Sequence, residues 1–250
     1  EGEEMKVSAP GFRGGDRTDI ELPAAQRNVL AALKKAGKKI VFVNFSGSAM
    51  ALAPEARNCD AILQAWYPGQ AGGTAVADVL FGDYNPAGRL PITFYKHTEQ
   101  LPDFEDYSMQ GRTYRYMKET PLFPFGYGLS YTTFSYGKAQ ADKNLLSKGD
   151  KLNLSIPVKN TGKRNGEEIV QVYIRRPADK EGPAKTLRAF KRVEIAKGET
   201  ENVTIELPYS AFEWFDAATN TMHPLSGMYE ILYGSSSKAE DLHSLQVRIQ

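Results

Sequence analysis

Apolar positions recur at two different periods along these 250 residues, and the change of period divides the chain. In the first half the spacing is helical between short continuous runs. Ala25, Val29, Leu33 and Ala36 fall on one face of a predicted helix that Pro23 can open and Gly37 can close. Residues 40–45 read IVFVNF, the continuous β-branched pattern of a parallel strand buried on both faces. Ser46-Gly47-Ser48 is turn chemistry, 49–56 fits a short helix, and 61–66 reads as the next strand. A Gly- and Pro-rich turn over 67–73 leads to Ala75, Val76, Val79 and Leu80 at helical spacing, with Gly82 at the helix end. Residues 85–88 are again a turn, and 90–94 resume an extended run. Strands alternating with helices predict right-handed crossovers and a parallel sheet. Such sheets place ligands at the carboxyl ends of their strands, which makes Trp66, Tyr67 and Gln70 a candidate wall of a binding site.

Regular patterning fades over 95–116, where four carboxylates (Glu99, Asp103, Glu105, Asp106) precede Arg112, Tyr114, Arg115 and Tyr116. That mixture suits a segment packed against a neighbouring domain. Beyond residue 134 the period becomes two. Residues 152–158, 168–175, 187–195, 202–207, 228–233 and 245–249 read as short strands with turns between them, the pattern of a β-sandwich. Phe212, Trp214 and Phe215 resemble a sugar-stacking platform, but an aromatic cluster beside a strand is expected to be core.

The composition narrows the classes. Hydrophobic residues make up 41% and charged residues 24%, with a net charge of +1, so neither nucleic acid nor an anionic membrane is an expected partner. No apolar run is long enough to suggest a membrane span. Lys34, Lys35, Lys38 and Lys39 gather at a predicted helix C-terminus, where the helix dipole favours cations. The single cysteine, Cys59, is expected to be a small buried residue. With three scattered histidines it gives no metal-ligand spacing, so neither a metal nor a cofactor is expected. No strand is followed by a glycine-rich phosphate loop, which argues against a nucleotide-binding domain.

Two long motifs carry a family resemblance. Residues 67–94, YPGQAGGTAVADVLFGDYNPAGRLPITF, and residues 121–134, PLFPFGYGLSYTTF, stand in the order seen in glycoside hydrolase family 3, the β-glucosidases and β-xylosidases. The resemblance implies a fold that is α/β and then all-β: part of an open α/β sandwich domain over 1–120, a connecting segment over 121–140, and a fibronectin-III-like β-sandwich over 141–250. It also implies a C-terminal fragment of a retaining exo-acting β-glycosidase. The catalytic (β/α)8 barrel, with its nucleophilic Asp, would lie in a missing N-terminal domain. Oligosaccharides or glycosides would be the substrates, and the compartment would be extracellular or periplasmic. In this family the acid/base is usually a Glu on a loop of the α/β domain, shortly before a Gly-Asp-Arg-like stretch and a Leu-Pro helix start. Here Glu1-Gly2-Glu3-Glu4 precedes Gly15-Asp16-Arg17 and Leu22-Pro23. Glu3 is the best match for the acid/base, with Glu1 and Glu4 as alternatives, although Glu4-Met5 departs from the family pattern. A variant with the Glu in the glycine turn beside Gln70 does not apply, because Ala71 stands there. The contrasting expectation is a non-catalytic carbohydrate-binding or scaffolding module.

Overall fold

The computed structural model describes residues 11–13 and 16–250, and they form two compact units. The first comprises the described residues up to Phe81, Ile92–Arg112 and Lys118–Phe123. The second takes Gly82–Pro91, Thr113–Met117 and Pro124–Gln250.

The first unit opens on a small hairpin, β1 (Phe12–Arg13) with β2 (Asp16–Arg17). Helix α1 (Ala24–Lys35), strand β3 (Val41–Asn44), helix α2 (Ala53–Asn58), strand β4 (Ala61–Gln64) and helix α3 (Gly72–Phe81) follow in order. Strands β3 and β4 pair in parallel, with Val41 opposite Ala61 and Asn44 opposite Gln64. The expected βαβ unit is therefore present, but β3 is not buried on both faces, since Val41 is half exposed and only Asn44 is buried. These two strands pair only with each other among the described residues. The buried core of the unit is small: Leu22, Met50 and Leu52, with Leu30, Phe42, Ile62 and Leu122 packed against it.

Helix α1 does not turn the expected face inward. Val29 and Leu33 are exposed, and Leu30 reaches the core instead. The cause is Arg27. Its Nε donates to Glu55 at 2.9 Å, and its Nη2 donates to Glu21 at 3.0 Å and to the Ala51 carbonyl at 3.2 Å. Glu55 is only 1% exposed, so a rotation that turned Arg27 away would leave a buried carboxylate uncompensated. Burial acts to lower the Arg27 pKa, but the two carboxylates overcome it and hold it above its ordinary value. The lysines beyond the cluster are exposed, as a solvated helix end should be, and Lys39 pairs with Asp60 at 3.0 Å. Cys59, expected to be buried, is only half-buried just after α2.

The second unit is the β-sandwich. After the short helix α4 (Thr113–Tyr116) come β5 (Phe134–Tyr136), β6 (Gln140–Ala141) and β7 (Leu145–Leu146). The long strands are β8 (Lys151–Asn160), β9 (Gly166–Arg175), β10 (Thr186–Ile195) and β11 (Thr200–Pro208). A hairpin of β12 (Glu213–Asp216) and β13 (Thr221–Pro224) precedes β14 (Gly227–Gly234) and β15 (Leu242–Ile249). One sheet has the order β10-β9-β14-β15-β7; the other has β11-β8-β5, with β6 also pairing β8. Alternate residues of the long strands point between the sheets. Leu152, Leu154, Ile156 and Val158 of β8 meet Val170, Val172 and Ile174 of β9, Ile231 of β14 and Val247 of β15 in one core. Phe212 and Trp214 belong to that core, as expected, with Trp214 Nε1 donating to Asp179 at 2.6 Å. Phe215, in contrast, faces outward from the hairpin.

Both sequence motifs contribute to this second unit. Residues 90–94 do not form the expected strand; Phe94 makes a single antiparallel bridge with Phe123. Leu90 instead exchanges backbone bonds with the other motif: its N–H donates to the Tyr127 carbonyl, and Gly126 N–H donates to the Leu90 carbonyl, each at 2.8 Å. Asn85 Oδ1 accepts from Ser130 Oγ at 2.8 Å and Tyr131 N–H at 2.7 Å. Tyr114 was expected to face a neighbouring domain, but it stacks on Phe125 at 4.4 Å and its hydroxyl accepts the Leu187 N–H. The aromatic and basic end of the segment 95–116 is thus part of the sandwich unit.

Candidate active site

The carboxyl ends of β3 and β4 lie side by side because the two strands are parallel and in register. Each strand ends on a polar amide, Asn44 or Gln64, and these two meet. Asn44 Nδ2 donates to Gln64 Oε1 at 2.7 Å and to Ser46 Oγ at 3.0 Å. Gln64 Nε2 donates to the Ser46 carbonyl at 3.1 Å, and Ser46 Oγ donates to the Ser48 carbonyl at 3.0 Å. Ser46 and Ser48 therefore do form a hydrogen-bonded turn. The network also ties the loop after β3 to the end of β4, which the apolar pattern alone did not indicate. The available signal was the pair of amides closing two otherwise apolar strands.

The three candidate wall residues follow directly. Trp66 is held at φ 55°, a left-handed conformation that costs a bulky residue on the order of 1–3 kcal/mol unless its surroundings enforce it. Its ring packs edge-on against the buried Phe94, with centroids 6.1 Å apart, which anchors the strained position. The adjacent Tyr67 is thrown outward and is 79% exposed. A Cβ at Gly47 would lie 2.5 Å from Tyr67 Cε2, so the absence of a side chain there lets the ring approach the loop. Gln70 is exposed in the turn before α3. The strand ends therefore offer an aromatic face, flanked by amides and hydroxyls. That combination suits a sugar ring, which has apolar C–H faces and a hydroxyl rim.

Glu1, Glu3 and Glu4 lie outside the described residues. Among the described residues, 17–21 are tied to the rest of the first unit. Ala51 N–H donates to the Ile20 carbonyl at 2.8 Å, and Ile20 N–H donates to Thr98 Oγ1 at 3.2 Å. Glu21 is held by Arg27, and Arg17 reaches Met50 Sδ at 3.1 Å. No group of His, Cys, Asp and Glu among the described residues is arranged to hold a metal ion.

Residues 1–131 match the model of the glycosyl hydrolase family 3 C-terminal domain, and residues 168–237 match a fibronectin type III-like domain. The chain is 58% identical over 249 residues to a xylan 1,4-β-xylosidase of Xylanibacter ruminicola, covering 100% of this chain and 29% of that protein. It is 38% identical over 213 residues to a periplasmic β-glucosidase of Salmonella typhimurium, covering 80% of this chain and 28% of the other. Among solved structures, a β-glucosidase from Erythrobacter marinus superposes with a TM-score of 0.82 at 38% identity, over 94% of this chain and 31% of that one. A β-glucosidase from Listeria innocua in complex with isofagomine gives 0.81 at 30% identity, over 96% and 35%. The chain thus spans about three tenths of the length of the curated relatives named here. The motif-bearing α/β unit, the sandwich that follows it and these matches together show that the chain belongs to glycosyl hydrolase family 3.

Proposed function

We propose that this chain is the C-terminal part of a retaining, exo-acting β-glycosidase that removes terminal sugars from xylo- or gluco-oligosaccharides. The observation that carries the reading is the family match, together with 58% identity along the whole chain to a protein named as a xylan 1,4-β-xylosidase. Retention needs a nucleophilic carboxylate on one side of the anomeric carbon and an acid/base on the other. In this reading the nucleophile is an Asp on a barrel domain outside these 250 residues, and Glu3 is the acid/base, with Glu1 and Glu4 the neighbouring alternatives. Glu3 protonates the departing oxygen, then takes a proton from the water that releases the sugar. Further along the chain, Glu21 is held by Arg27 and Ile20 by Thr98, which supports an anchored attachment for the segment that carries Glu3 in this reading. Tyr67, Trp66 and Gln70 supply the wall against which the sugar rests. Like the relative named as periplasmic, the protein would work outside the cytoplasm.

The test is Glu3→Gln in the full-length protein. Loss of general acid catalysis should lower hydrolysis of glycosides with poor leaving groups by about 10²–10⁴-fold. Activated aryl glycosides should suffer far less, and azide should partly restore turnover. If Glu1→Gln or Glu4→Gln produces that pattern instead, the assignment moves along the loop. If none of the three matters and the chain still binds xylan or glucan, the non-catalytic module is the better reading.

A further inference from the structure

Phe104 and Tyr107 are the most exposed large apolar side chains among the described residues, at 90% and 87%, and they sit on one loop of the first unit. The loop has a fixed shape. Arg112 Nη2 donates to the carbonyls of Asp103 and Asp106, each at 2.8 Å. Asp103 Oδ1 accepts the Glu105 N–H at 2.9 Å, and Asp106 Oδ1 accepts the Ser108 N–H at 2.8 Å. Met109 and Gly111 take left-handed backbone conformations that turn the chain back on itself. Two of the four carboxylates in this segment, Asp103 and Asp106, are thus used in shaping the loop. What the loop projects is two aromatic rings. Because the backbone that carries the rings is already braced, covering them orders two side chains and little else, which favours docking.

We propose that residues 103–107 are a docking knob that seats Phe104 and Tyr107 in an apolar pocket on the part of the same protein outside these 250 residues. This rests on the reading that the chain is one portion of a larger glycosidase. The occupant is argued from length, since the chain covers only 28–29% of the relatives named above and most of such a protein is available to cover the loop. A second copy fits less well. The knob's acidic rim would seek a basic surface such as the lysines after α1, and that contact is heterologous, so it could not form a simple two-fold dimer and would need a ring or a filament.

The experiment is hydroxyl-radical footprinting of the full-length protein, with the rate at Phe104 and Tyr107 compared between native and unfolded states. It is run at a concentration where sedimentation shows a monomer. Moving a ring from nine-tenths exposed to the core of an interface removes about tenfold of its accessible area, so oxidation should slow about tenfold. Rates within about twofold of the unfolded protein would overturn the proposal. So would protection seen only in an oligomer, which would assign the rings to a second copy, or only with added xylan, which would make them a glycan platform. Failure here is separable from failure of the proposed function. Unprotected rings with an inactive Glu3→Gln variant sink the knob alone; protected rings with a fully active Glu3→Gln variant sink the acid/base assignment alone.

Discussion

Arg89 Nη2 donates to Glu168 Oε1 at 2.9 Å, with the two side chains only 8% and 3% exposed. Arg89 comes from the first sequence motif and Glu168 from β9, so the pair pins a turn onto the sandwich. The same guanidinium donates to the carbonyls of Ala87 and Gly88 at 3.1 and 3.2 Å. Removing one member of a buried pair leaves the other uncompensated. Arg89→Met is expected to cost about 3–5 kcal/mol in denaturant unfolding. A loss under about 1 kcal/mol would mean that the pair is solvated in practice.

The pair also sets a pH dependence. Burial pushes the Glu168 carboxyl above its ordinary value of 4.5, while Arg89 pulls it back. A carboxyl raised on folding binds its proton more tightly in the native state. Its contribution to stability is therefore fully present at acid pH and falls as pH rises from 4.5 through the raised value, then levels off. In Arg89→Met the opposing charge is gone, so the decline should be larger and extend to higher pH. Urea titrations across that range, referenced to Glu168→Gln, would show it. A wild-type stability that rises through the same window relative to Glu168→Gln would contradict the sign.

Gly47→Ala places a Cβ 2.5 Å from the edge of the Tyr67 ring. Tyr67 is mostly exposed and can swing away, so the folding cost should stay within about 1 kcal/mol. The displaced ring should instead raise KM for oligosaccharides in the full-length protein. An unchanged KM would remove Tyr67 from the binding wall.

Gly126→Ala tests the junction of the two motifs. Gly126 sits at φ 79°, and a Cβ there would land on Gln171 Oε1. Gln171 cannot yield, because its Nε2 donates to the carbonyls of Gly126 and Ser235 and its Oε1 accepts from Tyr173 Oη at 2.5 Å. Overpacking of about 1–3 kcal/mol should add to a left-handed penalty of about 1–2 kcal/mol. Thermal unfolding of the variant reads the sum, and an unchanged Tm would show that the Gln171 site is plastic.

The parts of this fold that were legible in the sequence are those where a local pattern decides the structure. Alternation in β8 and β9 located the sandwich, because a strand with one buried face must repeat at two. Helix α3 was legible for the same reason at the helical period. The rotation of α1 was not, since Arg27 is drawn inward by Glu55, twenty-eight residues away in sequence. Residues 90–94 look extended, yet Leu90 spends its backbone bonds on Tyr127 and Gly126 in the second motif. At the candidate site, Trp66, Tyr67 and Gln70 could be found from turn chemistry at a strand end. The Asn44–Gln64 bond required the parallel register, which no single stretch encodes.

In the proposed function this chain supplies one side of a two-sided cleft, and the nucleophile lies elsewhere in the protein. The decisive measurement is to trap the full-length enzyme with a 2-deoxy-2-fluoro-xyloside or -glucoside and map the labelled peptide. A glycosyl label is expected on an aspartate outside these 250 residues. A label on any carboxylate within them would contradict it.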